Sequence, residues 1–223
     1  MTAEEVKKKL DVALLSPIAT AKEVEEHAKL LVKDGYYYCC VNSLHTRRAA
    51  NILKGTSVKV VCSVGFPLGA VKTVVKCLET EQAVADGAGE IDMVMQLGAL
   101  VGGDFKTAED DIKAVVKAAA GLPVKVIIET PYLSKAQKVD ACKIIQSAGG
   151  SFVKTCTGCS PDPIALYEDI RLIRQTVGAK MGIKASGRVG NYFRFTSMLE
   201  AGATRVGLAL AQACEILQGC EFE

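Results

Sequence analysis

Apolar runs of β type alternate along the chain with stretches whose apolar positions recur at helical spacing, almost from one end to the other. The strand-like runs cover residues 11–15, 36–42, 58–65, 90–96, 124–130, 152–155, 181–185 and 205–209, eight in all. Amphipathic segments lie between them, including residues 21–34, 71–86, 104–120, 134–148, 163–177 and 192–201, several closed by glycine or turn residues. A strand that is apolar nearly throughout must be covered, so the pattern predicts a parallel sheet beneath a layer of helices. No Pro/Ser-rich linker or low-complexity tract divides the units. Eight of them in one domain, residues 1–223, fit a closed (β/α)8 barrel better than an open doubly wound sheet. The dinucleotide-binding form of the open sheet also lacks its signature, because no G-x-G-x-x-G follows the first strand.

Against that apolar background a few charges are out of place. Phe152-Val153-Lys154-Thr155-Cys156-Thr157-Gly158 puts a lysine in line with a strand, and Met181-Gly182-Ile183-Lys184-Ala185-Ser186-Gly187 repeats the arrangement one unit later. In a parallel barrel the active site lies at the carboxyl ends of the strands, so polar residues there are the informative ones. An ammonium in a strand must be desolvated, which lowers its pKa unless a carboxylate pairs with it, and two lysines on adjacent strands repel each other. The expected product is a neutral amine, a nucleophile able to form a Schiff base with a carbonyl. Asp92 interrupts the apolar run Glu90-Ile91-Asp92-Met93-Val94 and is placed to pair with a lysine and to move protons. Asp11 opens the first strand, and Glu129 adds an acid near the end of the fifth. Structural ion pairs and snorkelling stems are the alternative use of such residues.

Composition narrows the partners. Lys and Arg number 27 against 25 Asp and Glu, a formal charge of +2, which argues against a general nucleic-acid or anionic-membrane surface. An anionic ligand must then be held locally. Nine cysteines are an odd number, the first fifteen residues are polar without an apolar signal core, and no run of 18 uncharged apolar residues occurs. These features predict free thiols in a reducing cytoplasm and no membrane span. His27 and His45 are the two histidines, so no zinc site is expected. Cys39, Cys40, Cys62, Cys77 and Cys142 read as small buried hydrophobes, with Cys40 also a candidate thiol at the border of the pocket. Tyr36-Tyr37-Tyr38 reads as a strand edge rather than a base-stacking platform. A homodimer through outer helices stays open, although no large apolar stripe demands one.

Six stretches in order make the chain resemble the deoxyribose-phosphate aldolase family, of the class I Schiff-base type, over essentially its whole length. They are Val64-Gly65-Phe66-Pro67-Leu68-Gly69, Glu90-Ile91-Asp92-Met93-Val94, Lys125-Val126-Ile127-Ile128-Glu129-Thr130, Phe152 to Gly158, Gly182-Ile183-Lys184-Ala185-Ser186-Gly187 and Ala201-Gly202-Ala203-Thr204-Arg205-Val206-Gly207. The resemblance implies a TIM barrel, no metal or other cofactor, and a small sugar phosphate as partner. It also implies a reaction, the reversible aldol cleavage of 2-deoxy-D-ribose 5-phosphate to acetaldehyde and D-glyceraldehyde 3-phosphate. By motif position, Lys154 is implied to be the Schiff-base lysine and Lys184 the second lysine that keeps it neutral. Asp92 is implied to transfer protons with a water, and Asp11 to orient substrate and relay.

The substrate and phosphate contacts fall by resemblance on Thr157, Gly158, Ser186, Gly187, Arg188 and Gly207, and the departures cluster there. The family usually has Gly-Gly where this chain has Gly187-Arg188, and a hydroxyl-rich run where this chain has Leu208-Ala209-Leu210-Ala211. Two outcomes follow: Arg188 replaces the lost hydroxyls with charge-assisted contacts, or the acceptor is a different or less phosphorylated aldehyde. An aldolase with a ketose donor, or a non-catalytic sugar-phosphate binder, are the remaining alternatives. The chain ends Cys220-Glu221-Phe222-Glu223, without the C-terminal tyrosine of many members, which bears on turnover rather than on reaction type.

Overall fold

In the computed structural model, which describes residues 1–220, eight parallel strands close into a barrel in the order β1 to β8, with β8 paired back onto β1. The strands are β1 (Leu10–Leu14), β2 (Tyr38–Asn42), β3 (Lys59–Val64), β4 (Glu90–Val94), β5 (Val124–Ile127), β6 (Phe152–Lys154), β7 (Gly182–Ser186) and β8 (Arg205–Ala209). β8 coincides with its apolar run, β1 and β7 are shifted from theirs by one residue, and the other five are shorter than theirs.

Among the described residues ten helices surround the sheet: α1 (Ala3–Lys7), α2 (Ala21–Lys33), α3 (Thr46–Leu53), α4 (Thr73–Ala85), α5 (Leu97–Val101), α6 (Phe105–Ala118), α7 (Lys135–Ser147), α8 (Tyr167–Val177), α9 (Tyr192–Glu200) and α10 (Leu210–Cys220). Their starts are written locally. Thr20 with Glu23 and Ser134 with Gln137 form capping boxes, and Asp104 caps α6 through the Thr107 N–H. The segment from 163 does not begin a helix: α8 starts at Tyr167, and Ala165 N–H instead donates to Gly187 O at 3.0 Å, tying the β6–α8 loop to the end of β7.

The strand pleat divides the core in two. Val12, Cys39, Val41, Ile91, Met93, Val126, Val153, Ile183 and Val206 face outward into the layer packed by the helices. The alternate positions, Asp11, Glu90, Asp92, Lys125, Lys154, Lys184 and Arg205, are buried too, and they meet one another. The charges are thus the inward half of a period-two pattern whose outward half is apolar.

One expectation changes here. A closed barrel has no edge strand, and the Tyr38 ring packs against the guanidinium of Arg205, 3.1 Å from Cζ to the ring centroid. Helix α4 is inverted, burying Lys76, Thr80 and Ala83 while exposing Val74, Val75 and Leu78, an outward apolar face that helical spacing alone assigns to the core. Cys39, Cys40, Cys62 and Cys142 are buried and Cys77 is half-buried. Among the described residues no helix is long and apolar enough to cross a membrane.

Candidate active site

Strand register brings the site together. Lys154 and Lys184 are paired neighbours on β6 and β7, and Asp92 and Lys125 are paired on β4 and β5. Lys154 Nζ donates to Asp92 Oδ2 at 2.7 Å, and Lys184 Nζ donates to the same oxygen, also at 2.7 Å. Lys184 Nζ is also 2.6 Å from Asp11 Oδ2. Lys125 Nζ lies 2.9 Å from Asp92 Oδ1 and 2.5 Å from Glu90 Oε2. Arg205 closes the cluster, with Nε 2.6 Å from Asp11 Oδ1 and Nη2 3.2 Å from Glu90 Oε2. Four cations therefore face three carboxylates inside the barrel, all nearly or wholly removed from solvent.

At Lys184 itself mutual repulsion of lysines does not prevail, contrary to the expectation of a lowered ammonium pKa. Burial pushes the Lys184 ammonium down, but Asp11 and Asp92 outweigh it and hold the group above its ordinary range. Lys125 is likewise raised, burial being overcome by Asp92 and Asp11. Burial works to raise Asp92, and Lys125, Lys154 and Lys184 hold it well below the usual carboxylate range instead. The same opposition, with Lys184, Lys125 and Arg205 as the cations, brings Asp11 to about 2.

A cavity of about 450 Å³ opens above the cluster at the carboxyl ends of the strands. Asp11, Cys40, Lys154, Thr157, Gly158, Lys184, Ser186, Gly187, Arg188 and Gly207 all line it. Asp92 does not; it lies beneath Lys154 and Lys184 and reaches the cavity through them. Lys154 is 2% exposed and Lys184 1%, so both ammonium groups sit at the floor. Cys40 Sγ is 3.9 Å from Ser63 Oγ, and burial raises its thiol pKa despite Lys184 nearby, so it lines the pocket as a protonated thiol.

At the far end of the cavity the chain is built closely. Gly187 has φ 118°, and a Cβ there would stand 2.4 Å from Pro163 O, while one on Gly207 would stand 2.7 Å from Lys184 Cε and from Ser186 Oγ. Arg188 takes the left-handed conformation, φ 49°, that suits the glycine the family has at this place. Its guanidinium, with the side chain 57% exposed, pairs with Asp162 at 3.2 Å. Ser186 Oγ donates to Gly207 O at 3.1 Å. Helix α10 starts at this end, and Gln212 in its first turn accepts the Ala209 N–H through Oε1 at 3.1 Å while lining the cavity.

Lys125, Glu90, Arg205 and Gln212 are functional neighbours that strand-end reasoning does not single out. The first three carry the same signal as Asp92, a charge in an apolar run, but nearer the amino ends of their strands. The β6–α8 loop also holds a C-x-x-C spacing, Cys156 and Cys159, with both thiols free. Burial pushes Cys156 up to about 11 and raises Cys159 too, the reverse of an activated redox pair. The last residues, Glu221 to Glu223, where the resemblance looks for a tyrosine, lie outside the described residues.

Fold and site together define a (β/α)8 barrel protein with a buried lysine–carboxylate cluster under a mouth cavity. No family profile matches the sequence. A deoxyribose-phosphate aldolase of Macrococcus caseolyticus is 45% identical over 214 residues, 96% of each chain. One of Aciduliprofundum boonei is 43% identical over the full length of both. Among solved structures, an aldolase named QR15 superposes with TM-score 0.90 at 36% identity, covering 97% of this chain and 95% of that one. The chain belongs to the deoxyribose-phosphate aldolase family.

Proposed function

We propose that the chain is a class I aldolase that reversibly cleaves 2-deoxy-D-ribose 5-phosphate to acetaldehyde and D-glyceraldehyde 3-phosphate through a Schiff base on Lys154. The observation that supports this reading is the sharing of Asp92 Oδ2 by Lys154 and Lys184 at the floor of the cavity. Four cations against three carboxylates leave one positive charge in excess in a buried place, where an unbalanced charge is costly. Lys154 has one carboxylate contact and shares it, and it faces the cavity. Attack on a carbonyl requires this lysine as the free amine, the form in which the charges of the cluster balance.

Nζ of Lys154 adds to C1 of the open-chain sugar, and loss of water leaves the iminium. The C2–C3 bond then breaks; its electron pair becomes the C1–C2 double bond of the enamine while the iminium π pair moves onto nitrogen. The C3 hydroxyl gives up its proton and leaves as the aldehyde of glyceraldehyde 3-phosphate. That proton returns to C2 of the enamine, with Asp92 and a water as the relay, and water releases acetaldehyde. Attack by Lys154 gives up its contact with Asp92 Oδ2 and leaves that oxygen to Lys184. Lys184, kept protonated by Asp11 and Asp92, supplies fixed positive charge through every step.

The phosphate is assigned to the end of the cavity lined by Gly187, Arg188 and Gly207, where small residues let backbone approach closely and α10 begins. Arg188 is the cation available there, its present partner being an exposed carboxylate. The test is borohydride reduction with acetaldehyde or deoxyribose phosphate, followed by peptide mass mapping. A reduced adduct on Lys154, abolished in Lys154→Met, is expected; an unmodified Lys154 in an active preparation refutes the assignment.

A further inference from the structure

Glu129 stands just past β5 in a left-handed backbone conformation, φ 47° and ψ 66°, that a non-glycine residue adopts only when its surroundings impose it. Its carboxylate is buried, 3% exposed, and among the described residues no lysine or arginine pairs with it. Its contacts are instead three groups of the β6–α8 loop. The Thr157 N–H donates to Oε2 at 3.1 Å and to Oε1 at 3.3 Å, the Thr157 hydroxyl donates to Oε2, and the Ser160 hydroxyl donates to Oε1 at 3.2 Å. The Thr157 hydroxyl is the donor in this contact, which fixes which partner holds the proton.

The consequence falls on Thr157, which is 8% exposed and lines the cavity with Lys154. Its hydroxyl has one proton and two lone pairs. The proton is committed to Glu129, and one lone pair accepts the Cys159 N–H at 3.0 Å. What remains is a single lone pair. We infer that Glu129 polarises Thr157 so that it presents only an acceptor to the substrate, and that this acceptor selects aldehyde acceptors bearing a hydroxyl on the carbon next to the carbonyl.

The choice of hydroxyl follows from the chemistry and rests on the aldol reading above. The C3 oxygen of the sugar is a hydroxyl before cleavage and a carbonyl after it, so an acceptor-only partner would lose its hydrogen bond as the reaction proceeds. The neighbouring C4 hydroxyl, which becomes the α-hydroxyl of the released aldehyde, keeps its proton throughout. Thr157 can therefore hold that group in both directions. A site built to pair a substrate hydroxyl discriminates sharply against the analogue lacking it, because the protein's own polar group is then left unpaired. Glu129 is on this view a positioning residue, and its strained backbone places the carboxylate under the loop.

The experiment is the synthetic reaction with acetaldehyde as donor and two competing acceptors, D-glyceraldehyde 3-phosphate and its analogue without the α-hydroxyl, 3-oxopropyl phosphate. The ratio of the two kcat/KM values does not depend on the fraction of folded enzyme. The intact protein is expected to favour the hydroxylated acceptor by about tenfold or more. Thr157→Val and Glu129→Met, which remove the hydroxyl and the carboxylate, are expected to bring the ratio close to one. Thr157→Ser and Glu129→Gln retain a hydroxyl and an oxygen acceptor and are expected to keep most of it. An unchanged ratio in Glu129→Met or in Thr157→Val overturns the inference, as does a ratio near one in the intact protein. Borohydride trapping of acetaldehyde on the intact protein separates the two failures: an adduct without acceptor preference overturns this inference alone, and the lack of an adduct overturns the aldol reading with it.

Discussion

Lys154 and Lys184 occupy paired positions on adjacent strands, and both ammonium nitrogens lie 2.7 Å from one oxygen, Oδ2 of Asp92. The two lysines differ in what else they touch. Lys184 also holds Asp11, at 2.6 Å, whereas the ion-pair contact of Lys154 is the shared one. One lysine is a fixed charge and the other a group free to leave its partner, which divides the electrostatic role from the nucleophilic one.

Removing the fixed charge should displace the pH optimum. In Lys184→Met the cluster has three cations for three carboxylates, and the fixed positive charge beside Lys154 is gone. Activity near neutral pH should fall by about two orders of magnitude and return in part under alkaline conditions. The acid limb of the kcat/KM profile is the measurement. A uniform loss with an unmoved limb would mean that Lys184 does not control the nucleophile.

The Asp11 carboxyl, ordinarily at 3.8, is held at about 2 in the folded chain, with burial opposing and Lys184, Lys125 and Arg205 prevailing. A depressed folded value stabilises the fold fully above the unfolded pKa, and that stability disappears as pH falls through the folded one. The contribution is about 2 kcal/mol, lost between about pH 4 and pH 2. Urea unfolding across this window should show the loss, and Asp11→Asn should flatten it. The same variant leaves Arg205 and Lys184 short of a partner, so it should cost about 3 kcal/mol or more near pH 6.

Much of this site is legible in the sequence because charge in an apolar strand is conspicuous. Lys154, Lys184 and Asp92 announce themselves in that way, and alternating units announce the barrel. Lys125 carries the same mark between Val124 and Val126, but its contacts with Asp92 and Glu90 depend on the β4–β5 register and its approach to Asp11 on closure of the barrel. No local pattern contains that information. Glu129 is visible as an acid near a strand end, yet its left-handed backbone and its hold on Thr157 arise from a loop about thirty residues away. Helix α4 misleads outright, because a buried ion pair reverses the face that its valines would otherwise choose.

Arg188 combines a left-handed backbone with an exposed ion pair to Asp162, and exposed pairs contribute little to stability. Glycine fits that backbone without steric penalty, so Arg188→Gly is the informative variant and alanine is not. Its stability should stay within about 1 kcal/mol of the parent, as relief of the conformation offsets the added freedom of the unfolded chain. KM for deoxyribose 5-phosphate should rise about tenfold with kcat little changed, and unphosphorylated deoxyribose should react as before. An unchanged KM for the phosphorylated sugar would remove Arg188 from the anion site.

Away from the barrel interior, Lys76 on α4 is wholly buried, with Nζ 2.7 Å from Asp111 Oδ2 on α6 and 2.8 Å from Val94 O at the end of β4. Asp111 is completed by Thr73 Oγ1 at 2.8 Å and Gln96 Nε2 at 2.9 Å, both on Oδ1. The pair ties two helices to the strand that carries Asp92. Burial lowers the Lys76 pKa against the pull of Asp111, so the ammonium depends on that one counter-charge. Asp111→Asn should destabilise by about 3–5 kcal/mol at neutral pH, the cost of leaving a buried cation unpaired. With its partner gone, Lys76 binds its proton less tightly in the folded chain than in the unfolded one. Stability of Asp111→Asn should therefore climb as pH rises toward 10, and more steeply than that of the parent, in which the Lys76 pKa is already lowered. The double variant Lys76→Met, Asp111→Asn removes the charge as well as its partner and should be less damaged than the sum of the single variants by about 1–3 kcal/mol. Urea denaturation of the four proteins at two pH values measures both effects, and strict additivity would show that the pair is not a coupled unit.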